Sequence, residues 1–175
     1  MFEGWGEYFF MVGSSAAALI GLMFVVVTLT AGRDRQQLEY GKHLYTSPIV
    51  WHLAVILLLS GGAIAPTMTA PVYGWTAAVL SLIGIAMGIR SAIGIRRTQI
   101  VGPSDSVFDM WWYGIVPALA CVGLGIAAYA VLTGCAWAPS GMAATVMALL
   151  LVCIHAEWDL VTFLAPMVGQ PPEKS

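Results

Sequence analysis

Charged residues are scarce in this sequence of 175 residues. Only 9% of the residues are Asp, Glu, Lys or Arg, whereas 59% are hydrophobic. A soluble domain carries about 25% charged residues, and one this apolar would expose large adhesive patches. The formal net charge of -2 leaves no basic surface for a nucleic acid. The sequence therefore predicts a membrane protein whose partner is the lipid bilayer, with no nucleic-acid partner.

Cysteine pairs and catalytic motifs are also lacking. The three cysteines, Cys121, Cys135 and Cys153, have neither a CxxC spacing nor the pattern of a disulfide framework. The sequence contains no HExxH motif, nucleophile elbow, P-loop or dinucleotide fingerprint. The predicted loops are too short to form a soluble catalytic domain. These features favour a protein that is not an enzyme.

Five apolar stretches are present, and a spanning helix needs about 20 such residues. They cover approximately residues 8–31, 48–65, 72–95, 110–133 and 140–165. Prolines lie at the ends of most of these stretches, where proline starts or stops helices. We therefore predict an all-α polytopic bundle of five transmembrane helices. The bundle forms a single domain over residues 1–175, with a short mobile tail at 170–175.

The basic residues all fall on one side of a bundle with five spans. They lie in the first loop, at the end of the third span, in the third loop and in the tail: Arg33, Arg35, Lys42, Arg90, Arg96, Arg97 and Lys174. Basic residues concentrate on the cytoplasmic side of multi-span membrane proteins. The sequence therefore predicts an N-terminus outside and a C-terminus in the cytoplasm.

Ionisable residues interrupt the apolar pattern of the fifth span. Residues 110–154 contain no Asp, Glu, Lys, Arg or His, and His155, Glu157 and Asp159 then follow. Ionisable groups are costly at membrane depth and mark functional sites more often than surface charges do. His155 and Asp159 are one turn apart and share a helix face. Glu157 is rotated by about 200° from each of them.

Other spans carry ionisable residues to a similar depth. At about 1.5 Å per residue, His52 lies about 6 Å inside the second span and Arg90 about 8 Å inside the third. Asp159 lies about 9 Å inside the fifth span, and His155 lies about 15 Å inside it. We therefore expect that one layer in the inner half of the bilayer contains His52, Arg90, Glu157 and Asp159, and that His155 lies closer to the midplane. Arg90 is the expected countercharge of one carboxylate.

Three interpretations of this ionisable cluster stay open. The first is a structural ion pair whose charged ends reach the inner membrane surface. The second is a proton or ion pathway, because His and carboxylates are the components of such relays. The third is a metal or haem site, because His155 and Asp159 have the i, i+4 spacing of metal ligands and His52 is available as a third ligand. No cofactor follows from the sequence.

Small residues recur every four positions in the first and third spans. The two rows are Gly13, Ala17 and Gly21, and Gly84, Gly88 and Ala92. Such rows let helix backbones approach closely. They serve either packing inside the bundle or contact between subunits, and the pattern does not distinguish these roles.

The first span has a recognisable pattern, which reads YFFMVGSSAAALIGLMFV over residues 8–25. It resembles the first span of small bacterial multi-span inner-membrane proteins of unassigned function. The resemblance covers this span alone. It implies a location in the bacterial inner membrane, and it implies no activity.

These observations favour a small oligomeric channel or an ion- or proton-transport protein, with the ionisable layer as its pathway. One alternative is a membrane-embedded enzyme or metalloprotein that uses His52, His155 and Asp159. Another is an accessory subunit whose rows of Gly and Ala bind a second membrane protein. Short loops and ionisable groups among glycine-rich helices support the first hypothesis.

Overall fold

The computed structural model describes residues 2–30, 47–98 and 111–168. They form five α-helices, namely α1 (Gly6–Thr30), α2 (Ser47–Ile64), α3 (Ala70–Thr98), α4 (Val116–Leu132) and α5 (Ala138–Val168). A π-helical turn, Trp111–Ile115, leads directly into α4. No strand occurs in these three ranges. The predicted all-helical bundle of about five helices is therefore confirmed.

Four segments are long and apolar enough to cross a bilayer: Gly6–Val26, Ala70–Ile93, Trp111–Leu132 and Ala138–Thr162. The apolar part of α2, Pro48–Ile64, is shorter. At about 1.5 Å per residue it extends about 26 Å, against a hydrocarbon core of about 30 Å. Because α2 packs against α1, α3 and α5, protein covers much of its surface. The chain is a small multi-pass integral membrane protein.

Each helix packs antiparallel to the helix that follows it in the chain, so the helices run in alternating directions. We call the end where α1, α3 and α5 finish the lower end, and the opposite end the upper end. Helix α5 packs against α1, α2 and α4, while α3 packs mainly against α4. The side chains buried between α2 and α5 include Leu53, Ile56 and Leu149, which are all fully buried. Helices α2 and α5 thus form the centre of the bundle.

The small residues of α3 pack inside the chain. A Cβ atom on Gly88 would lie 2.8 Å from the Cβ of Ala118 and 3.0 Å from the carbonyl oxygen of Gly114. A Cβ atom on Gly114 would lie 2.8 Å from the Cβ of Ala92. Side chains larger than these would separate α3 from α4, so this row serves packing within the bundle.

The small residues of α1 are divided between the core and the outer surface. Gly13 is buried, and a Cβ atom there would lie 3.0 Å from the Cβ of Ser60 in α2. Ala17 and Gly21 are exposed, and no atom lies within 4 Å of the Cβ position of Gly21. Among the described residues, only the first member of this row therefore makes a close helix contact.

Aromatic residues close the upper end of the bundle. The hydroxyl of Tyr73 donates a hydrogen bond to the carbonyl oxygen of Leu59 at 3.1 Å. The ring of Phe2 packs edge-on against Tyr73 and Phe9, with centroids 4.9 Å and 5.0 Å away. The hydroxyl of Tyr8 donates to the carbonyl oxygen of Ala143 at 2.8 Å. These contacts join α1, α2, α3 and α5.

The predicted orientation depends on seven basic residues, and the structure describes the side chain of one of them, Arg90. The side chains of Arg96 and Arg97 lie outside this description, although their backbone belongs to α3. The other basic residues and the tail at 170–175 also lie outside the described residues. The orientation across the membrane thus stays a prediction.

Candidate functional site

His155 and Asp159 form a pair at the lower end of α5. The Nε2 atom of His155 lies 3.4 Å from Oδ2 of Asp159, and the side chains are 38% and 36% exposed. The hydroxyl of Tyr113 donates a hydrogen bond to the same Oδ2 atom at 2.8 Å. The ring of Trp112 lies 4.3 Å from the imidazole ring of His155, between centroids. The π-helical turn therefore holds this pair from the side of α4.

Pro117 gives a physical reason for the unusual turn before α4. In a regular α-helix its backbone nitrogen would donate to the carbonyl oxygen of Tyr113, but proline has no N–H and its ring presses on that carbonyl. The preceding segment, Trp111–Ile115, is wound as a π-helix. Such wide turns are frequent at functional sites. Here the turn brings Trp112 and Tyr113 against α5.

His52 belongs to a separate buried contact. Its Nδ1 atom lies 2.6 Å from the carbonyl oxygen of Pro48, which can only accept, so Nδ1 carries the hydrogen and donates the hydrogen bond. Its Nε2 atom then accepts, and the Sγ atom of Cys121 lies 3.6 Å away. Gly84 of α3 makes room for this contact, because a Cβ atom there would overlap Sγ of Cys121. Three helices thus meet at one imidazole.

A small cavity lies between His52 and the π-helical turn. Its volume is about 20 Å³, and it is lined by Pro48, Ile49, His52, Trp112, Tyr113, Pro117, Val152, Cys153 and Ala156. A cavity of this size holds about one water molecule. His52 lies on one wall and Tyr113 on another, so the two polar contacts border a common space.

Glu157 points in a different direction from its neighbours on α5. It is 5% exposed, and neither carboxylate oxygen has a hydrogen-bond partner among the described residues. It lines a second cavity, of about 10 Å³, between α1 and α5. The separation from His155 and Asp159 follows from the helical period, which turns Glu157 by about 200° from each.

Arg90 faces away from the carboxylates of α5. Gly88 and Ala92 contact the start of α4, and Arg90 is two residues from each, which rotates it by about 200°. Its side chain is exposed. Among the described residues no ion pair joins Arg90 to a carboxylate. The expected countercharge is therefore not in place.

The three proposed metal ligands do not form one group. His52 contacts Cys121, whereas His155 and Asp159 contact the π-helical turn. Across the part of the chain that the structure describes, no three His, Cys, Asp or Glu side chains are grouped so that they could hold a metal ion. The geometry gives no support to the metal hypothesis at these residues.

Sequence reasoning missed two participants in these contacts. Neither Tyr113 nor Cys121 belongs to the ionisable cluster that the sequence predicts. Tyr113 lies near the predicted cytoplasmic end of the fourth span, as Asp159 does in the fifth, and this is a usable signal for their contact. No signal in the sequence joins Cys121 to His52, because their contact depends on how α2 packs against α4.

We call His52, Tyr113, His155, Glu157 and Asp159 the polar layer. Its members come from α2, the π-helical turn and α5, and they occupy the lower part of an apolar bundle. Comparison with protein-family models, curated proteins and solved structures finds no match to the chain. The functional argument therefore depends on the geometry of the polar layer.

Proposed function

We propose that the protein is a small oligomeric transport protein for protons or other ions, and that the polar layer forms part of its pathway. The observation that carries this proposal is the convergence of ionisable side chains from separate helices at one end of an apolar bundle. Such groups are expensive at membrane depth. A purely structural role would be served by apolar side chains of similar size at lower cost.

A single copy of the described part of the chain, held rigid, gives an ion too little space to pass. The two cavities beside the polar layer have volumes of about 10 Å³ and 20 Å³, which is space for about one water molecule each. Ions therefore need either a movement of the helices or a path between subunits. The outward-facing Ala17 and Gly21 favour a subunit contact through α1.

The proposed location is the bacterial inner membrane, with the lower end of the bundle in the cytoplasm. The distribution of basic residues supports this orientation. The pattern of the first span supports the bacterial assignment. In this orientation the polar layer is entered from the cytoplasmic side.

Ion flux in proteoliposomes tests the proposal. Purified protein is reconstituted, and the fluxes of H⁺, Na⁺ and K⁺ are followed under an imposed membrane potential. We expect a flux above that of empty liposomes for at least one ion, and a loss of that flux in Asp159→Asn. Glu7→Gln is the matched control, because Glu7 is exposed at the upper end. Wild-type protein that conducts no more than empty liposomes would refute the proposal.

A role as an accessory subunit is the second candidate, and the outward-facing part of the α1 row favours it. Small residues on a lipid-facing surface allow close contact with a helix of another membrane protein. Purification in a mild detergent distinguishes the two roles. One stoichiometric partner, retained by wild type and lost in Gly21→Leu, supports the accessory role, whereas a self-associated species without other proteins counts against it.

A further inference from the structure

Glu157 is the most isolated polar side chain of the polar layer. It is 95% buried, and both carboxylate oxygens are without hydrogen-bond partners among the described residues. The cavity in front of it is lined by residues of α1 and α5 that carry only hydrocarbon or thioether groups: Leu22, Met23, Val26, Leu160 and Val161. An ionised carboxylate in such surroundings lacks any compensation for its lost hydration.

We propose that Glu157 binds the transported proton in the cleft between α1 and α5, so that the transported ion is H⁺ and not a metal cation. This inference rests on the proposed transport function and adds to it the ion, the residue and the location. Binding is a simple addition, in which one proton joins one carboxylate oxygen and the charge changes from -1 to zero. Release restores the carboxylate, and no other reactant is needed.

The composition of the cleft favours a proton over a metal cation. Calcium takes six to eight oxygen ligands, and magnesium requires an octahedron of them. The cleft supplies the two oxygens of one carboxyl group, and its volume of about 10 Å³ leaves space for no more than one water molecule. A hydrated or fully coordinated metal ion therefore does not fit. A proton needs a single oxygen.

The groups around Glu157 provide no fixed positive charge within the described residues. Helix α1 carries no ionisable residue below Glu7 and Tyr8 at its upper end. On α5, buried Cys153 lies one turn earlier, while His155 and Asp159 point to the other side. The ionisable groups of α2 and of α4 nearest this level are His52 and Cys121, which contact each other. A bound proton thus supplies the missing neutralisation.

The cleft also reaches the bilayer-facing surface of the bundle. Leu22, which forms part of its wall, is 50% exposed. A reagent that dissolves in the hydrocarbon phase can therefore approach Glu157 when α1 moves relative to α5.

Dicyclohexylcarbodiimide is a suitable probe, because it dissolves in lipid and reacts with protonated carboxyl groups. The carboxyl oxygen adds to the central carbon, the acid proton moves to one nitrogen, and the acyl group then migrates to a nitrogen. The product is a stable acylurea, which mass spectrometry locates in the full-length protein. The same reconstituted samples are used for H⁺, Na⁺ and K⁺ fluxes.

We expect wild-type protein to carry the adduct on Glu157, to transport H⁺ and to show Na⁺ and K⁺ fluxes at the level of empty liposomes. Labelling should reduce the H⁺ flux to background. Glu157→Gln should lose both the adduct and the flux, and Glu157→Asp should keep part of each. Asp159→Asn should keep the adduct, because Asp159 lies on the other side of α5.

The possible failures are distinguishable. Three results would overturn the inference while the transport function stands. They are a wild-type H⁺ flux in Glu157→Gln, a Na⁺ or K⁺ flux above background in wild type, and a wild type that conducts but carries no adduct on Glu157. An adduct without flux of any ion in wild type would overturn the transport function itself. If wild type forms no adduct on Glu157 but R33Q/R35Q does, the carboxylate of Glu157 belongs to an ion pair with one of these arginines instead. Monodisperse elution and unchanged helix content are required of every variant.

Discussion

The Nε2 atom of His52 lies 3.6 Å from the Sγ atom of Cys121, in a buried contact that depends on a residue in a third helix. Gly84 provides the space, because a side chain there would overlap the sulfur atom of Cys121, and Nε2 of His52 lies 3.9 Å from the Cβ position. The carbonyl oxygen of Pro48 fixes the other side of the ring at 2.6 Å. The polar contact and the packing of α3 on α4 are therefore one structural unit.

Gly84→Ala should destabilise the bundle through this contact. The added methyl group overlaps Sγ of Cys121, and overpacking of a close interface costs about 1–3 kcal/mol. The measurement is reversible unfolding in mixed micelles of dodecyl maltoside and SDS. Gly21→Ala is the control, because no atom lies within 4 Å of its Cβ position, and its free energy of unfolding should not fall.

A double substitution identifies the cause of that loss. Cys121→Ala removes the sulfur atom, so Gly84→Ala should cost clearly less in this background than in wild type. Coupling energies between residues in contact are about 0.5–3 kcal/mol. If Gly84→Ala lowers the free energy of unfolding equally in both backgrounds, Gly84 is not needed to make room for the side chain of Cys121.

Tyr113→Phe should weaken the attachment of the π-helical turn to α5. The change removes one hydrogen bond, to Oδ2 of Asp159 at 2.8 Å, and such bonds contribute about 1 kcal/mol to stability. Unfolding in mixed micelles measures the loss. Asp159→Asn should cost less, since the amide oxygen still accepts from the hydroxyl. Tyr129→Phe, at a tyrosine that is 68% exposed, should leave the free energy of unfolding unchanged.

The sequence predicts the helices well because their signal is local. Apolar runs of sufficient length, ended by prolines such as Pro48 and Pro139, depend only on neighbouring residues. That Glu157 points to a different side of α5 from His155 and Asp159 likewise follows from the helical period alone. Both features survive in the structure because no tertiary contact competes with them.

The partners of the polar side chains follow from the packing of separate helices, which local patterns do not contain. Depth arithmetic predicts that Arg90 shares a layer with the carboxylates, but the contact of Gly88 and Ala92 with α4 turns its side chain outward. His52 finds Cys121 because α2 lies beside α4 at that height. Depth is a property of one helix, whereas direction is fixed only when the helices assemble.

The native cysteines allow a direct test of orientation. Cys135 lies in the turn between α4 and α5 and is partly exposed, whereas Cys121 and Cys153 are buried. With the N-terminus outside, this upper turn faces the exterior. A membrane-impermeant maleimide should therefore label the protein in intact cells, and Cys135→Ser should remove that labelling. Labelling only after the cells are opened would reverse the proposed orientation.

Gly21→Leu should weaken self-association without unfolding the chain. Ala17 and Gly21 are exposed, and no atom of the described residues lies within 4 Å of the Cβ position of Gly21. A larger side chain at Gly21 would therefore hold a neighbouring subunit away. We expect the dissociation constant of the oligomer in detergent to rise at least about tenfold, which corresponds to about 1.4 kcal/mol. Light scattering coupled to size-exclusion chromatography measures this change.

Two control substitutions separate assembly from folding. Gly88→Leu should unfold the bundle, because a Cβ atom at Gly88 already lies 2.8 Å from Ala118. Leu82→Ala should change neither stability nor association, since Leu82 is 68% exposed on the bilayer-facing side of α3. If Gly21→Leu keeps the wild-type mass at every dilution, α1 is not the subunit contact. An oligomeric mass then places the contact on another helix, whereas a monomeric mass requires a pathway that forms by movement of the helices within one chain.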